Sequence, residues 1–171
     1  MKNYFELFSL VLEFNIDQRK LENSYQKNIA IFHPDKFASS SEKEKTIALQ
    51  NTSLINTAFD TLKSPLKRAT YILELNGVNA FDEKDTQMDI EFLMAQINLR
   101  ESLESIKLSR DELELDDFIE LVNVKIKDNT AQITKLFEDN DSLDKIKNLV
   151  RELKFYEQLN SQAKGLMDEW I

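Results

Sequence analysis

The sequence predicts an all-α protein, and three observations lead to this prediction. The chain of 171 residues contains only 2 Gly and 2 Pro, against about 12 and 8 expected from average usage. Few residues are therefore available for the many tight turns of a β-barrel or β-sandwich. Apolar residues recur at helical spacing along most of the chain. No segment shows the alternation of apolar and polar residues that is typical of a half-buried strand.

The N-terminal part begins with two predicted helices. Asn3 and Glu6 have the spacing of a capping box, so a short helix begins there. Asp17 is the predicted N-cap of a second helix, which ends before Pro34 because the residue preceding a proline avoids the α conformation. Residues 33–41 are therefore expected to be a loop. The apolar face of the second helix consists of Leu21, Tyr25, Ile29 and Phe32.

Two more helices complete this part of the chain. Ser41 and Glu44 form a second capping box at the start of a long helix. Ser64 and Pro65 then place a cap and a first-turn proline at the start of the next helix. Gly77 is expected to end that helix in the left-handed conformation. The residues that follow are polar and lack periodicity, so we predict a linker over residues 76–87.

The remaining chain predicts three helices in a bundle over residues 88–171. The predicted start signals come in three groups: Thr86 with Asp89, Ser109 with Glu112, and Asp141 or Ser142. Inward-facing residues of the second and third helices recur at helical spacing. They are Leu115, Phe118, Ile119, Val122, Ile126, Ile133 and Phe137, then Ile146, Leu149, Val150, Leu153 and Tyr156.

The composition argues against several classes of function. The chain has no Cys and only one His, which excludes disulfides, thiol nucleophiles, Cys-ligated iron–sulfur clusters and His-pair metal sites. The formal charge of −9 disfavours general nucleic-acid binding, which depends on Lys and Arg against phosphates. Glu6 and Glu13 interrupt the apolar N-terminal segment, unlike a signal peptide. We expect a soluble, cytoplasmic protein with no cofactor and no metal.

The strongest local signal is the tripeptide His33-Pro34-Asp35 between two amphipathic helices. Proline fixes its own φ near −65°, so the flanking imidazole and carboxylate are held in a preset arrangement. A hydrolase would need a nucleophile and an orienting group near His33, and the sequence offers neither a Cys nor a GxSxG motif. The tripeptide alone is compatible with an incidental helix stop, but its helical context favours a docking site for another protein.

This arrangement resembles the J domain, the module that docks on seventy-kilodalton heat-shock chaperones and stimulates their ATPase. A second J-domain motif, AYxxLxxPxxRxxY, is matched in order by Ala58, Phe59, Leu62, Pro65, Arg68 and Tyr71. The resemblance assigns chaperone binding to His33, Pro34, Asp35, Lys36, Lys20 and Lys27. J domains usually present a basic helix face before this tripeptide. Here that face reads Lys20, Ser24, Lys27 and Ile31, so only part of it is basic.

The first helix of the C-terminal part has two apolar faces. At about 100° per residue, Phe92, Leu99, Leu103 and Ile106 share one face, the predicted core stripe. The opposite side carries what we call the second stripe: Ile90, Leu93, Met94, Ile97 and Leu108, beside Glu101 and Glu104. A helix on the outside of a bundle needs one apolar stripe. The second stripe therefore contacts a partner protein, the N-terminal part or a second copy, and periodicity leaves these alternatives open. Phe155 lies off the core stripe of its own helix, as a boundary residue or an extension of this patch.

With these segments, the chain from Tyr4 to the C-terminus resembles the HscB family, the J-type co-chaperones of iron–sulfur cluster assembly. The resemblance rests on HPDKF at 33–37, PLKRATYIL at 65–73 and FLMAQINLRESLE at 92–104. It implies an L-shaped pair of domains, a J domain over 1–75 and a bundle over 88–171 that binds the scaffold protein IscU. The implied scaffold contacts are Leu93, Met94, Ile97, Glu101 and Phe155.

The resemblance also implies the function. The protein would carry IscU to the specialised chaperone HscA and stimulate the HscA ATPase without catalysis of its own. The family tends to be acidic at two positions where this chain has Asn98 and Ser105. Eukaryotic members carry a Cys-rich N-terminal extension, and its absence here indicates a bacterial form. A general J protein serving DnaK and a helical hydrolase are the alternatives. The first lacks support, because this chain has neither a Gly/Phe-rich linker nor a zinc module.

Overall fold

The computed structural model describes residues 2–171, and within that range it contains seven α-helices and no strand. The all-α prediction is confirmed. None of the helices in this range is both long and apolar enough to span a membrane. In chain order the helices are α1 (Tyr4–Leu7), α2 (Gln18–Phe32), α3 (Glu42–Lys63), α4 (Pro65–Leu75), α5 (Ile90–Ser109), α6 (Glu112–Glu138) and α7 (Leu143–Trp170).

Most helices begin at the predicted capping residues. The Asn3 side chain accepts a hydrogen bond from the backbone N–H of Glu6 at 2.9 Å, and Ser41 Oγ accepts from the N–H of Glu44 at 3.2 Å. Such bonds satisfy backbone donors that the first helical turn leaves without partners. Gly77 has φ +78° just after α4, which is the left-handed conformation predicted for it.

The junction between α5 and α6 differs from the prediction. Asp111, rather than Ser109, caps α6: its carboxylate accepts from the N–H groups of Leu113 and Glu114 at 3.0 and 3.1 Å. Ser109 is the last residue of α5, and Arg110 has φ +54°. A carboxylate in this position also interacts favourably with the positive end of the helix dipole. Asp111 is therefore a better cap than the Ser109 hydroxyl.

The chain divides into two units, Met1–Leu75 and Asn76–Ile171. In the N-terminal unit, α2 and α3 form an antiparallel pair against which α1 and α4 pack. Arg68 is buried in this unit, where its Nη1 donates to the Leu62 carbonyl at 2.7 Å and its guanidinium lies 4.7 Å from the centroid of the Phe14 ring. Burial lowers the pKa of Arg68 to about 10, so the side chain stays charged at neutral pH.

In the C-terminal unit, α5, α6 and α7 share one apolar core. The core stripe predicted for α5 is confirmed, since all four of its residues are buried. Asn129 is a buried polar residue in the same unit, and its Nδ2 donates to the Leu149 carbonyl at 3.1 Å, which joins α6 to α7. The shared core consists of Phe92, Leu99, Leu103, Ile106, Leu115, Phe118, Val122, Phe155, Leu159 and Ala163.

The segment that precedes α5 packs on α7. Arg151 donates to the carbonyls of Ala80, Asp85 and Gln87 at 2.6, 3.1 and 3.0 Å. Lys147 Nζ lies 2.7 Å from an Asp85 carboxylate oxygen. This contact lowers the pKa of Asp85 and raises the pKa of Lys147. The predicted linker, residues 76–87, therefore belongs structurally to the C-terminal unit.

Candidate protein-binding sites

The predicted loop between α2 and α3 presents His33 and Asp35 to solvent. Their side chains are 51% and 92% exposed. Pro34 begins a 3-10 turn over Pro34–Phe37, which the sequence did not predict. His33 has φ −57° and ψ 133°, the extended conformation that a residue before proline favours. The loop is thus a defined turn rather than an irregular connection.

Hydrogen bonds fix both the His33 ring and the backbone on either side of it. His33 Nδ1 accepts from the Asp35 backbone N–H at 3.2 Å, whereas the nearest Asp35 carboxylate oxygen is 3.6 Å away. The nitrogen that accepts carries no hydrogen, so Nε2 is left as the donor of the ring. On the other side, the Thr52 hydroxyl of α3 donates to the Phe32 carbonyl at 3.2 Å. These bonds hold an imidazole donor and a free carboxylate at a solvent-exposed turn.

The basic residues assigned to this site are also exposed. Lys20 and Lys27 lie on one face of α2, and Lys36 lies in the turn itself. Ile31 continues the α2 face toward the loop and is 56% exposed. Ile31 therefore occupies a position at which a Lys or Arg would extend the basic surface of α2.

The second stripe of α5, which helical periodicity predicted as a second apolar face, is exposed. Leu93, Met94 and Ile97 are 41%, 60% and 57% exposed, and Ile90 and Leu108 more so. Glu101 and Glu104 are exposed on the same side of the helix. No other helix of the C-terminal unit covers this face, and contiguous apolar surface with a polar rim is typical of protein-binding sites.

Phe155 lies in the core of the C-terminal unit, whereas the sequence predicts it off the core stripe of its helix. It is buried, with 6% of its surface exposed. Its ring packs edge-on against Phe92 of α5, with the ring centroids 5.7 Å apart. The prediction that Phe155 lies off the core was wrong, because α7 buries a different face where α5 joins the core. Scaffold binding by Phe155 stays a prediction that requires access to this ring.

A groove of about 320 Å³ between α5 and α7 gives that access. Phe155 lines it, and the Arg100 guanidinium lies 5.2 Å from the centroid of the Phe155 ring. No local sequence signal indicates Arg100, because the contact joins residues 55 positions apart. The other lining residues are Leu103, Glu104, Gln158, Leu159 and Gln162.

The two candidate sites present groups that suit protein binding. The exposed imidazole of His33 has Asp35 beside it. The turn contains neither a Cys nor a GxSxG motif that could supply a nucleophile. Among residues 2–171, no group of three or more His, Asp or Glu side chains is arranged to hold a metal ion. What the arrangement offers is hydrogen bonds and charge at one site and apolar area at the other.

Comparisons with known proteins agree with both parts of the fold. Residues 88–164 match the family model described as the HSCB C-terminal oligomerisation domain. The structure is similar to the chaperone HscB from Vibrio cholerae, with 34% identity, a TM-score of 0.86 and coverage of 99% of this chain and 100% of that one. It is also similar to the human co-chaperone protein HscB, with 28% identity, a TM-score of 0.86 and coverage of 96% and 81%. The Jac1 co-chaperone from Saccharomyces cerevisiae shares the fold, with 23% identity, a TM-score of 0.79 and coverage of 96% of each chain.

Proposed function

Because the chain belongs to the HscB family of co-chaperones, we propose that it assists iron–sulfur cluster assembly by bringing two proteins together. The C-terminal unit binds a scaffold protein of the IscU type, and the N-terminal unit acts as a J domain on a heat-shock chaperone of the HscA type. The protein itself catalyses no reaction and acts in the bacterial cytoplasm.

One observation carries this proposal: two exposed sites of different chemistry lie on two separate units of one chain. The His33 turn offers a donor and a carboxylate, which suit polar docking on the chaperone and favour its ATP-hydrolysing state. The second stripe offers apolar area, which suits a folded partner. A covalent connection between the two sites raises the effective concentration of one partner near the other.

The residues of each site follow from this division. Chaperone binding is proposed for His33, Pro34, Asp35 and Lys36 in the turn and for Lys20 and Lys27 on α2. Scaffold binding is proposed for Leu93, Met94, Ile97 and Glu101, with Phe155 reached through the groove beside Arg100.

A steady-state ATPase assay tests the proposal. An HscA-type chaperone is measured alone, with this protein, with IscU-type scaffold, and with both. We expect stimulation by the two together to exceed the sum of their separate effects at subsaturating concentration. The comparison assay uses a DnaK-type chaperone with a denatured client. A different result would support a general J protein: the protein stimulates only the DnaK-type chaperone, and the scaffold has no effect on the ATPase of the HscA-type chaperone.

Replacement of Ile31 tests the electrostatic part of chaperone docking. Ile31→Lys adds a positive charge to the exposed α2 face that already holds Lys20 and Lys27. We expect faster association with the chaperone at low salt, and a gain that shrinks as salt screens the charge. Stopped-flow association rates at two salt concentrations measure this, with Ile31→Gln as the neutral control. Equal rates for the Lys and Gln variants would show that charge on this face does not steer docking.

A further inference from the structure

A second groove, of about 430 Å³, runs between α5 and α6 beside the second stripe. It lies on the other flank of α5 from the groove that exposes Phe155. The residues that line it are Ser102, Ser105, Ile106, Glu114, Asp117, Phe118 and Leu121.

The groove continues the apolar surface of the second stripe. On α5, Ser105 follows Glu101 by one turn, about 40° further around the helix. Ile106 and Phe118 lie in the groove and are buried, while Leu121 is 47% exposed on the α6 side. A partner seated on the second stripe therefore meets a shallow depression in which Leu121 is an exposed apolar side chain among polar ones.

The α6 side of this groove is strongly acidic. Residues 111–120 contain six carboxylates and no basic side chain. Glu114 and Asp117 line the groove itself, and within residues 2–171 no Lys or Arg forms an ion pair with either of them. Two copies of this acidic surface facing each other would repel. The charge therefore favours an occupant that presents Lys or Arg.

We propose that the scaffold protein bound by the second stripe also fills this groove, placing an apolar side chain against Leu121 and a basic side chain against Glu114 and Asp117. This inference rests on the proposed function and extends the scaffold site from α5 onto α6. It also adds the carboxylates of Glu114 and Asp117 beside Ser105, to those that Glu101 and Glu104 already supply on α5.

Calorimetric titration of the full-length protein with an IscU-type scaffold tests the extension. Leu121→Ala is expected to weaken binding by about 5- to 30-fold, as for a contributing interface residue. Glu114→Gln combined with Asp117→Asn is expected to weaken binding at low salt and to flatten the salt dependence of the affinity. The matched control is Val124→Ala on the same helix, 52% exposed and outside the groove lining.

The outcomes separate this inference from the proposed function. If Leu93→Ala with Ile97→Ala weakens scaffold binding while the groove variants behave like Val124→Ala, the extension is wrong and the function stands. If the second-stripe variant also binds normally, the proposed function fails with it. Sedimentation analysis tests whether a second copy of this chain occupies the groove instead. The inference would be overturned if the chain forms an oligomer that Leu121→Ala dissociates while the scaffold affinity stays unchanged. Circular dichroism checks that each variant folds.

Discussion

Leu93→Ala combined with Ile97→Ala is expected to weaken scaffold binding by about 2–4 kcal/mol, the range of interface hot spots, or roughly 30- to 1,000-fold in Kd. The two side chains lie one turn apart on α5 and are 41% and 57% exposed. Their truncation removes apolar area from the centre of the second stripe. Because neither belongs to the shared core, we expect the bundle to stay folded.

Isothermal titration calorimetry against an IscU-type scaffold measures this effect. The control is Leu49→Ala combined with Leu54→Ala on α3, which removes comparable exposed leucine surface (64% and 47%) from the other unit. Stimulation of the chaperone without scaffold should be the same for both double variants. Unchanged scaffold affinity in the α5 variant would remove the second stripe from the proposed interface.

Phe155 is a poor choice for the same experiment. It packs against Phe92 and lies in the shared core, and truncation of a buried Phe to Ala destabilises a protein by about 3–5 kcal/mol. If a Phe155→Ala variant lost scaffold binding, the loss could come either from the missing contact or from the destabilised fold. The exposed residues of α5 avoid that ambiguity.

The location of Phe155 shows what helical periodicity alone does not reveal. Ile146, Val150 and Leu153 define one buried face in the first half of α7. Phe155, Leu159 and Ala163 are also buried, on a face rotated by roughly 180–260° from Ile146. The second half of α7 meets a core to which α5 also contributes. A wheel fitted to one half of a helix therefore cannot predict the buried face of the other half, because the set of neighbours changes.

The connection before α5 shows a second limit of the sequence. Its polar composition predicts a linker, yet Ala80 is fully buried and Arg151 donates to three backbone carbonyls of the segment. That partner lies 71 residues further along the chain from Ala80. Caps and apolar stripes are local signals, and they predicted the helices, the loop at His33 and an apolar face of α5 outside the core stripe. A long-range side chain to backbone contact leaves no local pattern to detect.

His33→Gln is expected to reduce chaperone ATPase stimulation by about an order of magnitude or more, since hot-spot contacts are worth about 2 kcal/mol or more. In the native turn, His33 Nδ1 accepts from the Asp35 N–H, which orients the ring and leaves Nε2 as its donor. Glutamine provides both an acceptor and a donor, but on a flexible chain that the turn does not orient in the same way. The rigid placement of the donor is lost while the polarity is kept.

The remainder of the protein should not respond to this substitution. The His33 side chain is 51% exposed and its hydrogen bond stays within the turn, so the thermal unfolding midpoint is expected to change little. Scaffold affinity, which depends on the other unit, should equal that of the parent protein. Ser39→Ala, an exposed change a few residues further along the same loop, is the control and should stimulate normally. A His33→Gln variant that still stimulates the ATPase like the parent would show that the imidazole is not part of the chaperone contact.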